Sequence, residues 1–330
     1  MKRLIFLILF FYVMTGTEQT SCTVQSRCHA QHCAYVMHST VLTPCTVQCT
    51  CQAQHCADDL FWDGTDVTFR IDYTEEDRTV FDRYVRIMEG KRHLAFGELI
   101  IESAKFFMGT PYVASTLEKE PEQLVVNLRE LDCTTLVENV IALARTVKGT
   151  NPSFEAFCTN LQQLRYRSAE IKDYTDRLHY FSDWIVENER KNLVRDETKA
   201  IGGQPYRLNL SFMSTHPDSY RQLKSNPEFV QKIAQKEKEI SARNTYAMIP
   251  EAQIEACRAG MQNGDIVCFV TRIEGLDVSH IGFIYWQEQK LGFIHASSTA
   301  KQVIVEPKSL LEYVQGIQST IGVMVVRLVL

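Results

Sequence analysis

Cys133 stands in Leu131-Asp132-Cys133-Thr134-Thr135-Leu136, where a run of helix-spaced apolar residues from Leu136 to Ala144 begins. Asp132 suits the position just before a helix, so Cys133 is expected in the first turn. Unpaired N–H groups and the positive end of the helix dipole favour an anion there, and the thiolate is the reactive form of cysteine. A thiol nucleophile needs a base, and two histidines follow on apolar segments: His280 in Asp277 to Trp286, and His295 in Gly292 to Ser298. These segments read as two strands of a hairpin joined by the polar stretch Gln287 to Lys290. The implied chemistry is attack of a thiolate on a carbonyl, with one histidine as base and the other holding it in orientation. The same spacing also fits a buried small cysteine and two hydrogen-bonded core histidines.

Two helices are expected ahead of the cysteine. Glu75 to Met88 alternates polar and apolar groups at helical spacing, and Leu94 to Met108 is a second amphipathic segment stopped by Gly109 and Pro111. The Gly109-Thr110-Pro111-Tyr112 turn presents Tyr112, whose hydroxyl could donate to a developing oxyanion. The stretch from about 151 to 250 is rich in helix formers and charge, with helices expected over 153–163, 176–191 and 227–243, and it reads as a helical insertion between nucleophile and base. Strands are expected at 265–270, in the two histidine segments, at 302–305 and at 322–328. Strands following helices give an α+β domain.

Taken together, Gly109-Thr110-Pro111-Tyr112-Val113, Leu131-Asp132-Cys133-Thr134-Thr135, Arg177 to Trp184, Val278-Ser279-His280-Ile281-Gly282 and Ile294-His295-Ala296-Ser297-Ser298 resemble the N-acetylmuramoyl-L-alanine amidase-like branch of the NlpC-type cysteine hydrolases. The resemblance runs from about Phe81 to the C-terminus. It implies a papain-like core, a cysteine helix packed on an antiparallel sheet, here with a large helical insertion, and cleavage of amide bonds in cell-wall peptides. By the same resemblance Cys133 is the nucleophile, His280 the base, His295 the orienting residue and Tyr112 the upstream aromatic hydroxyl. Arg177 and Asp183 fall inside a matched motif, where a guanidinium can clamp a peptide carboxylate, and Ser214 is a weaker substrate contact of the same kind. Many members of the wider superfamily carry Asp-Cys-Ser-Gly at the nucleophile. Asp132-Cys133-Thr134-Thr135 departs from that and favours the amidase-like branch. The implied reaction splits N-acetylmuramic acid from L-alanine in muropeptides, without metal or cofactor. A D-glutamyl-diamino acid endopeptidase of the same superfamily, and a non-enzymatic wall- or metal-binding protein, remain open.

The chain of 330 residues is 45% hydrophobic and 23% charged, enough apolar content to bury a sizeable core. A formal net charge of −5 and a pI near 6.0 give no electrostatic case for nucleic acid or an anionic membrane surface as partner. No partner protein is indicated, and peripheral association with the cell wall is compatible with the substrate. Lys2 and Arg3 precede the apolar run Leu4 to Met14, too short to span a bilayer but suited to a secretory signal over 1–21, so export to the periplasm or cell envelope is expected. The segment 22–64 holds Cys22, Cys28, Cys33, Cys45, Cys49, Cys51 and Cys56, and Cys22 to Ala34 recurs as Cys45 to Ala57. Disulfides within a poorly ordered tail are the simpler expectation, zinc ligation by Cys28, His29, His32 and Cys33 or their copies in the second repeat the sharper one. The hydrolase domain is expected over 65–330.

Overall fold

In the computed structural model the chain divides into two units, Met1–Thr68 and Phe69–Leu330. The structure describes residues 71–168 and 170–330, together with the backbone of 35–38 and 41–44. In the first unit β1 (Tyr35–His38) and β2 (Val41–Pro44) pair as an antiparallel hairpin. The expected signal segment and every cysteine of the duplicated tail lie outside the described residues.

The second unit opens with β3 (Ile71–Asp72) and α1 (Glu75–Met88). Thr74 and Asp77 cap each other's backbone N–H groups at the start of α1, three acids fill its first turn, and Phe81, Tyr84 and Met88 form the buried stripe. Next come α2 (Phe96–Phe106), β4 (Leu124–Val125) parallel to β3, α3 (Cys133–Lys148) and α4 (Phe154–Arg165). They are followed by α5 (Phe181–Arg190), β5 (Val194–Asp196), β6 (Gln204–Pro205), α6 (Pro227–Ala242) and β7 (Ala247–Pro250). The last part holds β8 (Ile266–Thr271), β9 (Val278–Gln287), β10 (Lys290–Ser297), β11 (Gln302–Val305), α7 (Leu310–Gln315) and β12 (Thr320–Leu328).

Eight strands form one antiparallel sheet in the order β11-β10-β9-β8-β12-β7-β6, with β5 also paired to β12. Alternation splits its two faces. Ile266, Cys268 and Val270 of β8 face the helical core, whereas Val267 and Phe269 face a second cluster that includes Leu310 and Val314 of α7. The cysteine helix α3 packs against α2 and α4 and against β9 and β10. That explains its sequence: Leu136, Val137, Val140, Ile141, Leu143 and Ala144 are all fully buried, so α3 has no broad polar stripe.

The segment 151–250 differs from the expected helical insertion. It supplies β5 and β7, both hydrogen-bonded to β12, and β6 on the far side of β7, so it is woven into the central sheet. These strands are two to four residues long, too short to carry a readable alternation. The helix expected over 176–191 also starts later, at Phe181. Asp173 closes a single 3-10 turn at Tyr174–Asp176, and the backbone then extends to pair Arg177 with Tyr166. Arg177 is therefore not on a helix.

Candidate active site

Cys133 is the first residue of α3 because of a reciprocal cap. The Thr135 amide donates to Asp132 Oδ1 at 2.8 Å, and the Asp132 amide donates to Thr135 Oγ1 at 2.8 Å. Thr135 thus takes the place that a glutamate holds in the commoner form of this box. Asp132→Ala is expected to lose about 1 kcal/mol of stability, read as a lowered chemical-denaturation midpoint with an unchanged slope.

The sheet opens to receive the sulfur. Pairing of β10 with β9 ends at Ile294 opposite Phe283, while β9 runs back to Val278 against β8. Ile284 turns its N–H and C=O to the β8 side, donating to Asp265 and accepting from Gly264. By the two-residue alternation Ile281 points its N–H toward the vacated β10 side. That amide hydrogen-bonds the Cys133 sulfur, as does Thr134. These bonds favour the thiolate, but burial, followed by the neighbouring Asp132 carboxylate, pushes the thiol up to about 12. The resting cysteine is therefore a protonated thiol. Here the structure departs from the expectation drawn from the helix terminus, because desolvation outweighs the dipole.

His280 directly precedes Ile281. Its Nε2 lies 2.6 Å from Nδ1 of His295, with the rings at 81°, and Nε2 of His295 lies 3.2 Å from Glu306 Oε2. The other Glu306 oxygen accepts the Lys308 amide at 3.2 Å. Phe269 and Phe293 pack on the histidine rings, and Tyr313 of α7 touches both. Burial lowers His280 to about 4, and burial with the adjacent His280 lowers His295 to about 3, so both are neutral at pH 7. Glu306 and Tyr313 carried no motif in the sequence; each reaches the site only because β11 and α7 fold back beside the hairpin.

His179 is a third neutral histidine, held to about 3 by burial and then by Arg177, and bonded to the Tyr174 carbonyl at 2.8 Å. Free histidine titrates near 6.5, so on acidification the unfolded chain takes up these protons first. Stability that is full above pH 6.5 is lost as pH falls toward about 4. The unfolding free energy measured by denaturant titration between pH 7 and pH 4.5 should fall steeply, by up to about 1.4 kcal/mol per pH unit for each histidine.

Tyr112 arrives from the other side. Gly109, at φ 81°, lets the chain turn after α2 and run along the free edge of β11, with bonds from Gly109 N to Val303 O and from Tyr112 N to Lys301 O, both 2.9 Å. Leu131 N in turn donates to Pro111 O at 3.0 Å, which brings Tyr112 beside the start of α3. Burial, then the nearby Cys133 and Asp132, raise the Tyr112 phenol, and burial, Glu306 and Cys133 raise that of Tyr313 to about 12. Both hydroxyls remain protonated donors at neutral pH.

The remaining three expected contacts are engaged elsewhere. Arg177 is buried, with Nε and Nη2 on the Glu122 carboxylate at 2.9 and 2.8 Å, Nη1 on Glu118 at 2.8 Å and Nη2 on the Leu117 carbonyl. Its fork therefore holds the 117–122 loop and has no free face for a ligand carboxylate. Asp183 is buried between Arg167 and Arg243, and Ser214 bonds Glu237 through both its amide and its hydroxyl. The matched motif around Asp183 has a structural purpose: Tyr180 offers α5 no side-chain cap, and Asp277, three residues before His280, supplies one by accepting the Ser182 amide at 2.7 Å. Below α3, Arg165 donates from Nε to Glu138 at 2.7 Å and from Nη1 to the Val125 carbonyl at 2.6 Å, with both charged side chains 2% exposed. Among the described residues no group of three or more His, Cys, Asp or Glu is placed to hold a metal.

A family model for N-acetylmuramoyl-L-alanine amidase-like proteins matches residues 102–322. A crystal structure of an N-acetylmuramoyl-L-alanine amidase from Bacteroides uniformis is 37% identical, covering 71% of this chain and 99% of its own, with a TM-score of 0.67. A Bacteroides fragilis protein provisionally called a xylanase is 37% identical over 69% of this chain and 100% of its own, at TM-score 0.65. A Legionella pneumophila protein, 21% identical over 78% of this chain and 95% of its own, shares the fold at TM-score 0.58. No curated protein sequence matches the chain.

Proposed function

The chain belongs to the N-acetylmuramoyl-L-alanine amidase-like family, and from that membership we propose that it is a cysteine amidase of NlpC type, with a papain-like core, that hydrolyses the amide between N-acetylmuramic acid and L-alanine in peptidoglycan fragments. The observation that carries the reading is the insertion of Cys133 into the opened edge of β9, one residue from a neutral His280–His295 pair.

In this mechanism His280 takes the thiol proton as the sulfur attacks the amide carbonyl, so no standing thiolate is needed. The tetrahedral oxyanion lies at the N-terminus of α3, where first-turn amides and the Tyr112 hydroxyl donate to it. The C–N bond breaks, the amine leaves with the proton from His280, and the acyl group remains on sulfur as a thioester. Water then attacks, giving its proton to His280, and the carboxylate product departs as Cys133 regains its hydrogen. Arg177, Asp183 and Ser214 are positioning residues in this reading. Arg177 fixes the 117–122 loop, and Asp183 and Ser214 anchor α5 and α6, rather than touching substrate. The basic start and apolar run at Lys2 to Met14 support an exported enzyme, acting in the periplasm or cell envelope where such fragments occur.

The test incubates the protein and its Cys133→Ala variant with defined muropeptides and reads products by mass. Release of an intact stem peptide by the native protein alone is the expected result. A truncated stem would move the assignment to the endopeptidase reading, and equal release by both proteins would overturn the thiol mechanism.

A further inference from the structure

We propose that Glu306 is a positioning residue that fixes the tautomers of both histidines and so decides which nitrogen of His280 is free to act as base. The proposal rests on the reading of Cys133 and His280 as the reacting pair.

An ionised carboxylate accepts hydrogen bonds and donates none, whereas a neutral imidazole carries one N–H and one bare nitrogen. Glu306 is only 7% exposed, and its Oε1 is already occupied by the Lys308 amide, which leaves Oε2 facing His295 Nε2 at 3.2 Å. His295 must therefore carry its hydrogen on Nε2, and its Nδ1 is bare. The atom 2.6 Å from that bare nitrogen is His280 Nε2, which in turn must carry a hydrogen. Nδ1 of His280 is then the lone pair left for the Cys133 proton. One carboxylate thus orders two rings in series.

The opposite polarity would be inert. With Nδ1–H on His295 donating to a bare His280 Nε2, the hydrogen of His280 would sit on Nδ1, and the ring could not take the thiol proton. Nothing among the aromatic neighbours Phe269, Phe293 and Tyr313 chooses between the two states as a carboxylate does, because the phenylalanines are apolar and a phenol both donates and accepts. The same buried charge also favours the imidazolium formed while His280 holds the proton, as the acidic member of a hydrolase triad does. The sequence gives no hint of this, since Glu306 lies just past β11 in Val305-Glu306-Pro307, away from each of the matched motifs.

The test uses the full chain labelled with ¹⁵N-histidine, in the Cys133→Ala background so that turnover plays no part. Its imidazole ¹⁵N–¹H spectrum should show His280 and His295 both as Nε2–H tautomers, with assignments from single histidine substitutions. Glu306→Gln keeps the volume but can either donate or accept, so it should mix the tautomers. In the Cys133 enzyme it should lower kcat by about 100-fold at nearly constant KM, and Glu306→Asp should recover tautomer order and part of the rate. His280 found as Nδ1–H in the unsubstituted relay, or unchanged tautomers and kcat within about threefold in Glu306→Gln, would overturn the proposal. The unsubstituted spectrum decides the matter even if the glutamine variant does not fold. Absence of stem-peptide release would count against the amidase reading alone and leave the tautomer result standing.

Discussion

Cys133→Ala is expected to remove turnover of muropeptides, with kcat falling by about 10⁴-fold or more, while the protein stays folded. The proposed thioester route needs the Cys133 sulfur; of the other cysteines of the second unit, Cys158 and Cys268 are buried in the core and Cys257 packs near Gly202. Residual rate would come only from the oxyanion donors and substrate binding. Stability should move by less than about 1 kcal/mol, because alanine is a good residue for the first helical turn and the cap between Asp132 and Thr135 does not involve the thiol. The pair of measurements, turnover by mass spectrometry and unfolding by circular dichroism, separates a chemical role from a structural one.

Arg165→Met should have the opposite signature, a loss of about 3–5 kcal/mol in stability. The substitution preserves most of the side-chain volume but leaves Glu138 buried beneath the cysteine helix with no counter-charge, and it takes a donor from the Val125 carbonyl. Burial already raises Glu138 above its ordinary value, with Arg165 pulling the other way. Without the guanidinium the carboxyl binds its proton more tightly when folded than unfolded. The variant's deficit should thus shrink as pH is lowered through that range and grow above it. Adding Glu138→Leu should restore most of the loss, since an apolar pair can replace a buried ion pair. An Arg165→Met protein as stable as the native one, by denaturant titration at pH 7.5, would show the pair to be dispensable.

What could be read in advance follows from how local each determinant is. The start of α3 at Cys133 is set by Asp132 and an apolar run within a few residues, and the β9–β10 hairpin by two alternating segments and a short polar link, so both were legible. The turn that carries Tyr112 was legible from Gly109 and Pro111. Short strands such as β5 and β7 were not, because their identity comes from pairing with β12 rather than from their own pattern. Arg177 shows the same limit: its residue type suits a ligand clamp, and only the fold reveals that Glu118 and Glu122 have already filled it. The state of the thiol shows the same limit, since the helix terminus is visible in sequence and the burial that opposes it is not.

The opened edge of β9 also has a bearing on time. Cys133 and its helix are synthesised long before the strand that carries His280, and until that hairpin docks the sulfur lacks the Ile281 amide. Joining the two is a long-range event and belongs late in folding. An incomplete chain, or one clipped before β9, therefore carries a chemically ordinary cysteine. If Cys133 and His280 react as proposed, hydrolytic competence is expected only with the final closure of the domain, and the onset of turnover during refolding would time that last step.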